Sequence, residues 1–364
     1  LFQAQFCLQP TYEEAVTEIV ANAGQQPVGR FPVMLYQLNE KFRDEQSPRL
    51  GLLRSRSFIM KDLYSFDLNE NDAHITYERV TNAYWQIFNR RLGLRTYRVR
   101  ATSGMFGGTC SHEFHLENPL GQDTILLCSK CNSGVNAEVL PEAARHSESH
   151  SCEHCNAPTE KLRTIEVGHT FALGTKYSDA FGAAHDARPL QMCCFGIGVS
   201  RLLAAAVDAL SPTDTQLRLP AAIAPFKAVV VLPKSGSRQE IATPFVLDVA
   251  DALSQLPELA VDADVLVDDR TNLTIGRRVA DAVKLGVPWI VIGGKATAES
   301  MTALGGGEGA PTLLEVERTI PSRRDAQPQG TMTHAELAST LIRQLGENVA
   351  LKETDRRSAP VLIR

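Results

Sequence analysis

The sequence predicts a multidomain α/β protein: a first part containing a strand–turn–strand hairpin, then a small α/β domain with a mainly parallel sheet. Three observations carry this. At 364 residues the chain is long enough for two or three cored domains, and 43% hydrophobic with 22% charged residues is ordinary for a globular protein. Between Phe42 and Phe66 two strand-like runs flank a turn marked by Pro48 and Gly51, the pattern of an antiparallel pair. After a linker with Pro212, Pro220 and Pro225, strand and helix patterns alternate, which argues a parallel sheet.

In chain order, 1–24 opens with an apolar strand-like segment and continues into a helix. Thr11 and Glu14 read as its capping box and Gly24 as its stop. Phe31 to Glu40 is a strand entering the hairpin. Asp72 to Leu92 is an amphipathic helix whose Ile75, Val80, Ala83, Tyr84, Ile87, Phe88 and Leu92 recur at helical spacing and face a core. Arg95 to Val99 is a strand. Ser103 to Leu116 is glycine-rich and then alternates; Gly107-Gly108 lacks the strand–helix setting of a phosphate loop. Thr164 to Ala180 begins as a strand and turns at Gly174. Met192 to Leu210 is a strand running into a helix, with Gly196 and Gly198 at the turn and Arg201 in the first helical turn. In the second domain AVVVL, VDADVLVDD and PWIVIGG are strands; Gln239 to Leu256 and Thr274 to Leu285 are helices. Ala303 to Pro311 is a Gly-rich loop, and the end looks weakly structured. The expected domains are 1–220, with a cysteine-bearing segment at 126–158, then 225–345 and a tail at 346–364.

A net charge of −5 excludes a global basic footprint, so any nucleic-acid contact is a local patch. No apolar run reaches the roughly 18 residues of a membrane span. The chain opens at Leu1 inside an apolar segment and reads as a fragment or a processed form.

Two stretches carry charge where chemistry would use it. In FRDEQSPRLGLLRSRSFIMKD, Arg43 and Glu45 are two apart and would share a face on a strand. A guanidinium beside a carboxylate suits a ligand with phosphates at one end and amino donors at the other, such as ATP. On charge spacing alone, a solvated hairpin is the simpler reading. Cys128-x-x-Cys131 and Cys152-x-x-Cys155, twenty residues apart, have the spacing of two zinc knuckles closing one four-cysteine site. Buried thiols are the alternative, and His150 or His154 could replace a cysteine. Four thiolates would leave no open position, so such a site is structural.

The order FRDE, loop, R-x-R-x-F-x-M-K-D resembles motif 2 of class II aminoacyl-tRNA synthetases in their prolyl form. G-I-G-V-S-R at 196–201 resembles motif 3 of the same class, and the likeness covers most of the chain. It implies a class II antiparallel-sheet catalytic domain followed by an anticodon-binding domain. It implies a proline-tRNA ligase: proline and ATP give prolyl-adenylate and pyrophosphate, and proline passes to tRNA(Pro). The alternative is a non-catalytic tRNA-binding paralogue. By the resemblance Arg43 contacts the α-phosphate and proline, Arg201 the γ-phosphate, and Thr11, Glu13 and Phe171 read proline. Glu45, Arg54, Glu113, Glu166, His169 and Gly198 join the ATP site, with Mg²⁺. Asp268-Asp269-Arg270 and Gly276-Arg277-Arg278 resemble the anticodon-domain stretch that places Arg270, Arg277 and Arg278 on tRNA. Only the short cysteine segment stands where bacterial-type enzymes carry an editing insertion, so no editing domain is expected. That arrangement resembles the mitochondrial subtype and implies the matrix, or the cytoplasm if the source is bacterial. Family members carry motif 1, the dimer element, upstream of the Thr-x-Glu loop, so a homodimer is expected of the full-length form.

Overall fold

The hairpin forms around the predicted turn. Strand β1 (Val33–Phe42) pairs antiparallel with β2 (Ser57–Asp67), in register from Val33↔Phe66 to Phe42↔Ser57. A computed structural model describes residues 7–108, 110–145, 150–256, 259, 264–303, 313–318, 330–333 and 335–341. The apolar start at 1–6, the Gly-rich loop at 304–311 and the tail lie outside the described residues. The chain divides into two units, Leu1–Ala209 and Leu210–Arg364.

The first unit is built on an eight-stranded sheet. Its further strands are β3 (Thr96–Arg100), β4 (Cys110–Glu117), β5 (Asp123–Cys128), β6 (Gly134–Asn136), β7 (Thr159–Gly174) and, after a short hairpin of β8 (Ala184–His185) and β9 (Arg188–Pro189), β10 (Gln191–Gly198). The order is β1-β2-β10-β7-β4-β3-β6-β5, with β5 also paired to the start of β7. All these pairings are antiparallel except the single β3–β6 bridge.

Helix α1 (Glu13–Asn22) leads into β1, and α2 (Glu70–Trp85) covers one face of the sheet. Asn69 caps α2 by accepting from the Asp72 N–H. The helix continues through a wider turn over Gln86–Arg91, where Phe88 packs against Tyr84 and Phe114. Its buried face is Ala73, Tyr77, Tyr84 and Phe88, while Ile75 points to solvent at 58% exposure, contrary to expectation. The predicted capping box also fails to form. Tyr12 occupies the α1 cap without a side-chain bond, because the Thr11 hydroxyl donates to the Glu13 carboxylate instead.

Helix α3 (Glu142–Arg145) is one turn in the segment between the cysteine pairs, and α4 (Lys176–Phe181) follows β7. Helix α5 (Val199–Leu210) follows β10 directly. Successive residues of β2 point to opposite faces. Lys61 therefore reaches the Tyr84 hydroxyl under α2 (3.0 Å), and Asp62 faces the other way.

The second unit has a five-stranded sheet in the order β12-β11-β13-β14-β15. These are β11 (Ala228–Val231), β12 (Val265–Asp268), β13 (Trp289–Ile292), β14 (Leu313–Arg318) and β15 (Gly330–Thr333). The three strands read from sequence are parallel and β14 and β15 are antiparallel, so the sheet is mixed. Helices α6 (Thr243–Ser254), α7 (Ile275–Lys284) and α8 (Lys295–Ala303) pack with it, as does a helical stretch at 335–341 that places Leu337 and Leu341 in the core. Val229, Ile290 and Ala282 pack in one core; Val230, Val291 and Val246 pack in a second. Burial on both faces is why these strands are continuous apolar runs. No helix among the described residues is long and apolar enough to cross a membrane.

Candidate active site and metal centre

Motif-bearing residues from the N-terminal segment, the hairpin, β7 and the β10–α5 junction meet at one cavity of about 150 Å³. Thr11, Glu13, Arg43, Glu45, Arg54, Glu166, His169, Phe171, Gly198 and Arg201 all line it. Glu113 lies behind this lining, and the three second-unit arginines belong to the other unit.

One end of the cavity is built from α1 and β10. Glu13 is 2% exposed; its carboxylate accepts from the Thr11 hydroxyl and from the Cys194 thiol at 3.1 Å. Burial pushes the Cys194 thiol far up, so it donates as a neutral thiol at neutral pH. Phe171 stacks on His169, with ring centroids 3.8 Å apart and planes 19° apart.

The other end is cationic. Arg43 and Glu45 lie past the end of β1, in the connection, and not on the strand as their spacing suggested. The ladder extends one rung beyond it, through the bond from the Arg43 N–H to the Arg56 carbonyl (2.9 Å). The Arg43 guanidinium lies 5.2 Å from the Phe58 ring centroid and donates to the Pro10 carbonyl. Glu45 pairs with Arg54 at 2.8 Å and accepts from the Ser47 N–H, and the Arg54 bond holds its carboxyl below the usual range. Arg54 also donates to Gln122, so this pair is an internal brace of the loop.

Arg201 projects from the first turn of α5. It donates to the Leu53 carbonyl at 3.0 Å and pairs with Glu166 at 3.2 Å. Burial raises the pKa of Glu166, but the His169 hydrogen bond and the charges of His169 and Arg201 outweigh it and hold the carboxyl well down, at about 2. His169 bonds Glu166 through Nδ1 (3.2 Å) and the Ser111 hydroxyl through Nε2 (2.6 Å).

Glu113 Oε1 is 3.5 Å from His169 Nδ1, while its Oε2 accepts from His115 (2.7 Å) and Asn136 (2.8 Å). Ligand atoms of Glu113, Glu166 and His169 converge within 4.8 Å of one another. Asp123 and Glu138 are pushed up by burial and by these carboxylates. Crowded carboxylate oxygens suit a hard divalent cation such as Mg²⁺.

Sequence reading missed Lys41 and Asp62, a fully buried pair at 2.7 Å; Asp62 lines the cavity. The available signal was the polar period-two run Gln37, Asn39, Lys41, which marks a sheet face turned toward a polar site. It also missed Phe106, which lines the cavity from the glycine-rich loop.

The four cysteines do come together. All four Sγ atoms lie within 4.8 Å of one another. Each Cys-x-x-Cys turn has the same form. Cys128 Sγ accepts from the Lys130 N–H and Cys152 Sγ from the His154 N–H, both at 3.4 Å. The residue after each pair, Asn132 or Asn156, is left-handed, with φ 57 and 59. Cys152 is drawn down to about 6 by the Ser133 hydroxyl and the His154 N–H. Cys155 is pushed to about 12: the Ala157 N–H lowers it, but the neighbouring thiols and burial outweigh that. Four thiols this close cannot all ionise without a cation, so the donor set fits a soft tetrahedral metal.

In the second unit Arg278 is fully buried. It donates to the Asp268 carbonyl (3.0 Å) and the Leu232 carbonyl (2.7 Å), at the ends of β12 and β11. Its expected role as a surface phosphate contact is thus corrected: the side chain is interior, with both terminal nitrogens on backbone carbonyls and a buried Nε that has no hydrogen-bond partner among the described residues. Arg270 is held by Asp268 (2.6 Å) and Asp281 (3.0 Å). Arg277 is 66% exposed and only loosely paired, 3.5 Å from Asp281.

Comparison with known families agrees with this architecture. Residues 3–210 match the tRNA synthetase class II core domain (G, H, P, S and T), and 228–305 match an anticodon binding domain. The chain belongs to the class II tRNA synthetases. Among its relatives in that class are proteins named as proline-tRNA ligases. A probable mitochondrial proline-tRNA ligase of Rattus norvegicus is 44% identical over 81% of this chain and 62% of its own length. The proline-tRNA ligase of Ehrlichia ruminantium (strain Gardel) is 37% identical over 80% of this chain and 68% of its own. The chain thus spans less than two thirds of the mammalian relatives it matches. A Giardia lamblia prolyl-tRNA synthetase structure in complex with prolyl-adenylate shares the fold, with TM-score 0.68, 17% identity, and coverage of 95% of this chain and 62% of that one.

Proposed function

We propose that this chain carries the proline-activating and tRNA-binding parts of a proline-tRNA ligase. The observation that carries the reading is the two-ended cavity: a buried carboxylate with aromatic rings at one end, and Arg43 and Arg201 at the other. A carboxylate beside a hydroxyl suits a secondary ammonium with two N–H donors. The carboxylate of proline attacks the α-phosphorus of ATP and pyrophosphate leaves. The 3′ hydroxyl of tRNA(Pro) then attacks the adenylate carbonyl and AMP leaves. No side chain becomes a nucleophile; the protein positions the reactants and neutralises developing charge. Arg43 holds the α-phosphate and the proline carboxylate, and Arg201 the γ-phosphate, once it exchanges Glu166 for the nucleotide. The Glu113 and Glu166 carboxylates would hold Mg²⁺, with His169 orienting Glu166 through its Nδ1 bond, and the ion would neutralise phosphate charge when bound. Glu45, braced by Arg54, offers backbone and carboxylate oxygens to the adenine amine.

Amino-acid-dependent ATP–pyrophosphate exchange with proline, alanine, cysteine, threonine and glycine tests this. Exchange with proline alone supports it. Exchange with another amino acid overturns the proline reading, and absence of both exchange and ATP binding, even when the upstream segment is restored, favours the non-catalytic paralogue.

Cys128, Cys131, Cys152 and Cys155 hold a structural Zn²⁺ in this reading. About one zinc per chain by metal analysis, and a lower melting temperature after chelation, are expected; metal-free protein of unchanged stability argues for plain buried thiols. A mitochondrial location is read from the naming of relatives, with the cytoplasm as the alternative for a bacterial source, and the homodimer is carried over from the family resemblance alone.

A further inference from the structure

The Gly107-Gly108 pair is no phosphate loop, and the structure gives it another use. Gly108 has φ +103, and a Cβ there would lie 2.1 Å from the Ala172 carbonyl oxygen. Only glycine lets the loop lie directly on β7. On its other side Lys176 Nζ donates to the Met105 and Phe106 carbonyls, at 2.8 and 2.9 Å. The segment 103–108 is therefore fastened to both β7 and α4. What it presents is Phe106, whose ring centroid lies 5.0 Å from that of Phe171, tilted by 43°. Phe106 packs on the cluster that holds Phe171, Cys194 and Tyr64, beside the Glu13 carboxylate.

We infer that Phe106 is a specificity-determining residue: its ring completes the apolar wall at the Thr11–Glu13 end and sets the size of the amino-acid side chain admitted. Lys176 is a positioning residue that holds the loop carrying it. The inference deepens the proposed function and rests on it. A rigid, flat wall of aromatic rings suits a compact apolar ring better than an acyclic side chain. Such walls discriminate by about ten- to two-hundred-fold per methylene.

The test is pyrophosphate exchange by the full-length protein with proline, alanine and L-pipecolate, the six-membered homologue of proline. Variants are Phe106→Ala, Phe106→Leu and Lys176→Met. Phe106→Ala is expected to raise KM for proline about tenfold, to leave KM for ATP within about twofold, and to narrow the proline-to-pipecolate ratio of kcat/KM about tenfold. Phe106→Leu retains most of the discrimination, and Lys176→Met shifts the same quantities less. A parallel rise in both KM values, or an unchanged ratio, overturns the inference. A wild-type protein that activates a different amino acid sinks the proposed function instead; Phe106 is then judged by the same KM split with that amino acid.

Discussion

The cavity of the first unit and the strand ends of the second both collect arginines, and they use them differently. Arg43 and Arg201 line a cavity; Arg201's partners there are the Leu53 and Glu166 backbone carbonyls and the Glu166 carboxylate at 3.2 Å, but its side chain is 38% exposed and the carboxylate is one a phosphate can displace. Arg278 has its terminal nitrogens on two carbonyls of different strands and no exposed surface. A guanidinium with displaceable partners can serve a ligand. One with buried backbone partners serves the fold. Charge along the sequence does not separate the two; burial and partners do.

The strongest way to break this contrast is Arg278→Met. It removes the side-chain donors of the Leu232 and Asp268 carbonyls, the latter keeping only the Leu232 N–H, and a loss of about 2–4 kcal/mol in the unfolding free energy of the second unit is expected. Amino-acid activation, measured as pyrophosphate exchange, should persist. Denaturant unfolding that leaves the second unit at wild-type stability would remove the bolt assigned to Arg278.

Next come Arg43→Ala and Arg201→Ala. Each should lower exchange at least about tenfold, about 1.4 kcal/mol or more, with a melting temperature near wild type. Near-native exchange in either would sink its role. The smallest effect is expected from Arg277→Ala. Charged, exposed and loosely paired, Arg277 should weaken tRNA binding by less than about tenfold and reduce the salt slope by about one. A slope equal to wild type would take it off the tRNA surface.

Much of the fold was legible because period decides it. The apolar runs AVVVL and PWIVIGG are strands buried on both faces, and the Pro48–Gly51 turn does join an antiparallel pair. Thr274 caps α7 by accepting from the Arg277 N–H, as a Thr before a helical pattern should. The Thr11 cap failed for a reason no local rule contains: its hydroxyl had a better acceptor in the Glu13 carboxylate, turned inward. Ile75 was misplaced because the helical pattern allowed two faces, and the aromatic one, Tyr77, Tyr84 and Phe88, won the sheet.

The sequence by itself determined which residues are chemically equipped: the Arg43 and Arg201 motifs, the Thr11-x-Glu13 loop and the two Cys-x-x-Cys turns. Their types and short-range order are written in the chain. Only the tertiary structure decided which of them meet, because Thr11, Glu166 and Arg201 converge through an antiparallel sheet that brings distant segments side by side. It alone decided that Arg278 is interior, that Glu45 is braced, and that Phe106 reaches the amino-acid end. Burial and hydrogen-bond competition are set by the whole packed chain, and local spacing carries no record of them.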